Sequence, residues 1–211
     1  MSLTLHFHPL SSFCQKALIG LYELGVPFTK QVVDLYDDDQ RARFLALWPI
    51  GKFPVLRDEA RGVTVPEATL VLDYVDRDVR LVPADPDRAR ECRLRDRVFD
   101  LYLDVPMGKV VTDKLRPPGK NDPHGVAEAR ALIEKTYALA DDWLSEGPWA
   151  AGERFSIADC AAAPALFFAK RVLPFRPEHR RLAAYFDRLE AHPSVARAFR
   201  EAQPFLANFP G

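Results

Sequence analysis

The chain has 211 residues, of which 48% are hydrophobic and 28% are charged, and its net charge is −1. This balance predicts a packed globular core rather than disorder, and it offers no general attraction to nucleic acid or to an anionic membrane. No apolar run approaches the roughly 18 residues that span a bilayer, and the N-terminus lacks the basic and apolar regions of a signal peptide.

The cysteines point to the redox environment. Cys14, Cys92 and Cys160 lie far apart in the sequence, and their number is odd. Such spacing argues against a disulfide framework and fits a reducing, cytoplasmic compartment.

The first eighty residues alternate between strand and helix patterns. Residues 3–8 read as a strand, and residues 13–24 read as a helix because apolar residues recur there at helical spacing. The next segments are a strand over 26–33, a helix over 37–47, a hairpin over 53–57 and 62–65, and a helix over 66–77. We place Pro66 in the first turn of that last helix. The order βαβαββα predicts a mixed, four-stranded sheet with helices packed on it.

The pattern then becomes wholly helical. Residues 79–87 contain two prolines and no clear period, so they are the expected linker between a domain over 1–78 and an all-helical domain over 88–211. Helices are expected over 88–115, 125–145, 156–173 and 177–191, with a short one after Pro193. Ser156 and Asp159 form a capping-box pattern ahead of an apolar segment, which predicts a buried central helix.

Four motifs in order carry a resemblance to a known family. They are Ser11-Ser12-Phe13-Cys14 at a helix start, Gly51-Lys52-Phe53-Pro54-Val55-Leu56, Pro66-Glu67-Ala68-Thr69, and Phe155-Ser156-Ile157-Ala158-Asp159. With these motifs the chain resembles the cytosolic glutathione transferases over essentially its whole length. The resemblance implies a thioredoxin-like N-terminal domain, an all-α C-terminal bundle, and a cytoplasmic homodimer. It also implies glutathione as co-substrate, no metal, and detoxifying attack on small hydrophobic electrophiles.

Ser11 matches the catalytic position of the serine- and cysteine-type classes. A free thiol has a pKa near 8.5 and is only about 3% ionised at pH 7, so the task is to favour the thiolate. A hydroxyl that donates to sulfur and the positive end of a helix both do this. Ser12 is the reserve catalytic hydroxyl, and Ser11 also suits a plain helix cap. Cys14 matches the second cysteine of a C-x-x-C redox pair in which Ser11 replaces the first, so dithiol exchange is excluded. Its place on the apolar stripe predicts a buried thiol, whereas an exposed and ionised Cys14 would form a mixed disulfide with glutathione.

The resemblance also assigns glutathione-binding residues. It implies a cis peptide before Pro54, with the backbone of Phe53 pairing with the cysteinyl part of glutathione. Glu67 would receive the γ-glutamyl ammonium, and the helix start would receive the α-carboxylate. Ala68 departs from the family, which commonly has a hydroxyl there, so one hydrogen bond to that carboxylate is missing. The implied set is Phe13, Lys52, Phe53, Pro54, Glu67 and Ala68, with Lys52 facing the glycyl carboxylate.

The electrophile pocket should lie between the domains and face Ser11. Its candidate residues are Leu10, Phe99, Tyr102 and Met107, and the apolar C-terminal segment with Phe205, Leu206 and Phe209 can close over it. Among them Tyr102 carries a phenol that can polarise a carbonyl.

Two other functions fit the same motifs. A glutathione-dependent isomerase or lyase would use the same thiolate with a different second pocket. A non-catalytic binding protein that kept the fold would explain Ala68, whereas Ser11 together with Glu67 favours the enzyme.

Overall fold

The computed structural model describes residues 2–144 and 147–210. Its N-terminal part is built on a four-stranded sheet with the order β2-β1-β3-β4. The strands β1 and β2 run parallel, and the other neighbouring pairs run antiparallel. The predicted mixed sheet is therefore confirmed. The strands are β1 Leu3–Phe7, β2 Thr29–Val32, β3 Val55–Asp58 and β4 Val63–Pro66.

Helices cover both faces of this sheet. Leu3, Leu5 and Phe7 of β1 are buried toward α1 (Ser12–Leu24) and α3 (Ala68–Val75), and they belong to the main hydrophobic core. The intervening residues of β1 are only half-buried, as alternation along a strand requires. The helix α2 (Asp38–Leu47) contributes the side chain of Phe44 to a second, smaller hydrophobic cluster.

The predicted start of α3 is wrong. Pro66 is the last residue of β4 and pairs with Val55, whereas the helix begins at Ala68. The change of direction occurs at Glu67, whose φ of 69° lies in the left-handed region. A proline is compatible with the end of an edge strand as well as with a first helical turn, so its presence alone did not decide between them.

The described part of the second half is helical, as predicted. Ser156 and Asp159 form the expected capping box, and nearly every residue of the helix that follows is buried. The elements are α4 Pro86–Val98, a π-helical segment Phe99–Asp104, α5 Val105–Lys114, α6 Pro123–Trp143, α7 Ile157–Val172, α8 Arg180–Ala191, α9 Pro193–Ala202 and a 3-10 segment Gln203–Asn208. The boundaries of the two domains stay a prediction.

The π-helical segment has a local cause. Pro106 has no backbone N–H, so the carbonyl of Tyr102 cannot receive the ordinary α-helical hydrogen bond. The helix widens just before this proline, and the Thr136 hydroxyl on α6 donates to the Tyr102 carbonyl at 2.8 Å. Such π segments often occur at functional sites. Here the segment ends at Asp104, whose side chain reaches the first turn of α1.

None of the helices in the described part of the chain is long and apolar enough to cross a membrane.

Candidate functional site

Ser11 lies at the positive end of α1. Its backbone is extended, with φ −80° and ψ 118°, and it occupies the N-cap position of the helix. The Ser11 hydroxyl oxygen accepts a hydrogen bond from the backbone N–H of Cys14 at 3.3 Å. The loop before it is fixed because Ser11 N–H donates to the carbonyl of His8 at 3.0 Å. The half-buried hydroxyl also lies within reach of the Cys14 thiol, but a hydroxyl proton rotates, so it can turn toward a ligand instead.

Ser12 has a different partner from its neighbour. Its hydroxyl donates to Oδ2 of Asp104 at 2.7 Å, across the contact between α1 and the π-helical segment. Asp104 is buried, and burial raises its pKa to about 7 against the opposing effect of the Ser12 hydrogen bond. The sequence analysis identified Ser12 as a reserve catalytic hydroxyl but did not predict its contact with the Asp104 carboxylate.

Cys14 is fully buried, as predicted. Burial raises the pKa of its thiol to about 12, although hydrogen bonds from Ser11 and the backbone act in the other direction. A thiol in this state is a poor nucleophile, because the reactive form is the thiolate.

The loop before β3 contains the expected cis peptide between Phe53 and Pro54. Phe53 is half-buried and its ring lies 4.8 Å from Phe44 and 6.4 Å from His8, measured between centroids. These contacts fix the backbone that the resemblance assigns to glutathione. Lys52, beside it, is exposed.

Glu67 holds a strained backbone at the start of α3. A non-glycine residue with φ near 69° costs about 1–3 kcal/mol, and such strain concentrates at functional sites. The side chain is exposed and makes no capping hydrogen bond to its own helix, so its carboxylate is available. Ala68 follows with its methyl group buried, which leaves the backbone N–H as its polar group toward a ligand.

A group of charged side chains, buried except for Arg97, lies behind this helix start, and we call it the Lys16 cluster: Lys16, Asp96, Arg97 and Asp100. Lys16 is 1% exposed and contacts Asp96 at 2.6 Å, Asp100 at 2.7 Å and the Thr69 hydroxyl at 2.8 Å. The cluster thus joins α1 and α3 to α4. Sequence reasoning missed it, although Asp96, Asp100 and Asp104 recur every four residues along one predicted helix and could have indicated a polar face.

Arg97 places a cation beside the first turn of α3. Its guanidinium donates to Asp96 at 2.8 Å and also contacts Asp100 and the Thr69 hydroxyl. The side chain is 44% exposed, so part of it stays open to solvent. Burial lowers the pKa of Arg97, but Asp96, Asp100 and the more distant Glu67 outweigh this and raise it. The Arg97 cation and the Glu67 anion are therefore close enough for their charges to interact.

The residues predicted for the electrophile pocket differ in accessibility. Phe99 and Met107 belong to the buried core, which weighs against their lining an open pocket, whereas Tyr102 is 49% exposed and Leu10 is half-buried. All four assignments stay predictions.

The C-terminal segment also reaches the site region. Phe205 has its ring 6.2 Å from His8, in the loop before Ser11, and Phe209 packs on Phe168 of α7.

The N-terminal and C-terminal halves of the chain each match a known protein-family model. The family model described as "Glutathione S-transferase, N-terminal domain" matches residues 10–78, and "Glutathione S-transferase, C-terminal domain" matches residues 123–188. Together they cover more than half of the chain.

Individual relatives are more distant. Glutathione S-transferase GstB of Escherichia coli is 25% identical over 197 residues, which are 89% of this chain and 92% of GstB. FtsZ-localized protein A of Caulobacter vibrioides is 26% identical over 170 residues, 76% of this chain and 74% of that protein. A glutathione S-transferase structure from Methylobacterium radiotolerans, in complex with glutathione sulfonate, is 27% identical with a TM-score of 0.82 over 94% of both chains. The chain therefore belongs to the glutathione S-transferase family.

Proposed function

We propose that this protein is a glutathione transferase that ionises the glutathione thiol for attack on a small hydrophobic electrophile. The observation that carries the proposal is the half-buried Ser11 hydroxyl at the positive end of α1, whose proton can rotate toward a bound sulfur. Both the hydroxyl and the helix end favour a bound thiolate over a thiol.

The groups around α3 suit the γ-glutamyl end of glutathione, which carries an ammonium and a carboxylate. Glu67 offers an uncapped, exposed carboxylate for the ammonium. Arg97 and the N–H of Ala68 offer positive charge for the carboxylate, so the hydroxyl missing at position 68 has a substitute. The cis Phe53-Pro54 loop would present its backbone to the cysteinyl part, much as a strand edge receives a peptide.

Calorimetric titration with glutathione tests this proposal. We expect saturable binding together with the ultraviolet absorbance of a thiolate at neutral pH. The analogue 4-aminobutyryl-Cys-Gly, which lacks only the α-carboxylate, should bind about 10-fold or more weakly, since a hydrogen bond to a charged group contributes about 1.5–3 kcal/mol. Glutathione binding without a thiolate signal, or no binding at all, would contradict the transferase proposal.

A non-catalytic binding protein is the second candidate. The specific observation in its favour is Ala68, and the similarity to FtsZ-localized protein A is compatible with it. Such a protein need not bind glutathione, so the same titration separates the two functions. An isomerase or lyase would show the thiolate but would not conjugate an electrophile.

We also propose that the protein is a homodimer. Leu94, Leu101 and Val105 are each about half exposed, and their spacing of seven and four residues places them along one face of the α4-to-α5 run. Leu70 on α3 is equally exposed. An apolar surface of this kind usually marks an interface. Sedimentation velocity should give a dimer for the wild type and a monomer for Leu101→Glu, and a wild-type monomer at micromolar concentration would rule the dimer out.

The location that we propose is the cytoplasm. All three cysteines are free and buried, which fits a compartment where thiols stay reduced. Cell fractionation with an antibody to the chain checks this assignment, and recovery in an exported fraction would contradict it.

A further inference from the structure

The two adjacent hydroxyls at the start of α1 have opposite hydrogen-bonding roles. Ser11 accepts from the Cys14 N–H, and its own proton can rotate toward a ligand. The Ser12 hydroxyl donates its proton to Oδ2 of Asp104, with 2.7 Å between the two oxygens. Toward a ligand it therefore offers only the lone pairs of its oxygen. A hydroxyl of the first kind stabilises an anion, whereas one of the second kind accepts a proton.

Asp104 is arranged to receive that proton. Its side chain is buried, and its second oxygen, Oδ1, has no hydrogen-bond partner among the described residues. The charged groups that act on it within the described chain are Lys16 of α1 and Asp100 on its own helical run, and they oppose each other. Burial keeps its pKa at about 7, well above that of an ordinary aspartate.

Resting on the transferase function proposed above, we propose that Asp104 accepts, through Ser12, the proton that the glutathione thiol loses. The S–H bond breaks as its proton passes to Oγ of Ser12, and the Ser12 hydroxyl proton passes to Oδ2 of Asp104. Ser12 ends as a hydroxyl, Asp104 ends as a neutral carboxylic acid, and glutathione ends as a thiolate. The number of protons and the net charge are unchanged, and no other reactant takes part.

The direction of transfer follows from the charges. A thiolate and an ionised Asp104 near each other would repel, so the pair favours holding one proton between them. A free thiol near pKa 8.5 would not give its proton to a group with a pKa of about 7. A lowering of the thiol pKa by about two units, by Ser11 and the helix end, makes the transfer favourable. Ser11 and Asp104 therefore act together.

Proton counting tests the proposal. Glutathione is titrated into the protein at about pH 7.5 in two buffers with different ionisation enthalpies, and the difference in heat gives the protons released. The thiolate formed is measured by its absorbance. We expect the wild type to release clearly less than one proton for each thiolate formed, because the negative charge of the new thiolate raises the pKa of Asp104 above its value of about 7 and holds the proton there. Asp104→Asn and Ser12→Ala should release close to one proton for each thiolate formed.

Asp113→Asn is the matched control. Asp113 is a buried carboxylate on α5 that bonds the loop before α6, so its loss should leave proton release as in the wild type. Release of one proton by the wild type, equal to that of Asp104→Asn, would overturn the role of Asp104 and leave the transferase proposal intact. A wild type that forms no thiolate would overturn both.

Discussion

Ser11→Ala is expected to lower turnover about 10-fold or more at pH 7, with little change in glutathione affinity. The structure places the Ser11 hydroxyl at the helix start, where its proton can turn toward a bound sulfur, so the change removes a donor to the thiolate. A two-unit lowering of the thiol pKa, worth roughly 2.7 kcal/mol, takes the ionised fraction from about 3% to roughly three quarters, which sets an upper limit of about 25-fold.

The loss of turnover in Ser11→Ala should become smaller as the pH rises. Because Ser11→Ala raises the pKa of the bound thiol, the rate deficit is largest below the wild-type thiol pKa. It disappears above roughly pH 9, where the thiol ionises without help. Turnover with an activated aryl chloride, measured across this range, gives the profile.

Two controls separate catalysis from helix capping. Ser11→Gly lacks the hydroxyl but is a tolerable N-cap, so it should lose turnover like Ser11→Ala while keeping stability closer to the wild type. Ser11→Thr keeps a hydroxyl and should retain part of the activity. Unchanged turnover in Ser11→Ala would show that the Ser11 hydroxyl does not stabilise the thiolate; Cys14, buried with its thiol pKa raised, would not replace it, and the N–H groups at the start of α1 would be left in that role.

The order of elements was predictable because it rests on local periodicity. The alternation in β1 and the apolar spacing in α1 place those elements correctly to within a residue at each end. Pro66 shows the limit, because its proline suits a strand end and a helix start equally. The positive φ of Glu67 turns the chain after Pro66, so Pro66 ends the strand and does not begin the helix. No local pattern in the sequence predicts that turn.

The site was predictable only where it lies in short motifs. Ser11, Pro54 and Glu67 stand in recognisable segments, and the cis peptide at Pro54 is confirmed. The carboxylate partners of Ser12 and Lys16 lie 80 or more residues away in sequence, so no local pattern includes both members of a pair. Lys16 is buried in the fold through contacts with Asp96 and Asp100 from the second half of the chain.

Lys16→Met is expected to destabilise the fold by about 3–5 kcal/mol, the usual effect of removing one partner from a buried ion pair. Lys16 is 1% exposed and bridges Asp96 at 2.6 Å, Asp100 at 2.7 Å and Thr69 at 2.8 Å. Methionine fills similar space but leaves two buried carboxylates with only Arg97 as a cation. For a chain of this size, a loss of about 1 kcal/mol in the free energy of unfolding lowers the midpoint temperature of thermal unfolding by roughly 2–4 °C. We therefore expect that midpoint to fall by at least about 6 °C.

An exposed ion pair provides the matched control. Lys30 contacts Glu201 at 2.9 Å, but the two side chains are 37% and 31% exposed. Solvent screens such a pair, so Lys30→Met should change stability by less than about 1 kcal/mol. A loss in Lys16→Met no greater than in Lys30→Met would show that the cluster does not hold the two parts of the chain together.

The double variant Lys16→Met/Asp100→Asn identifies the cause of the loss. If an uncompensated buried charge is responsible, removing the Asp100 charge should restore part of the stability, because desolvation then penalises one carboxylate fewer. If packing of the Lys16 stem were responsible, the second change would add its own cost instead. Since methionine preserves most of that stem, we expect partial recovery. That result would identify the balance of charge between Lys16 and the carboxylates of Asp96 and Asp100 as the source of the stability that this cluster contributes.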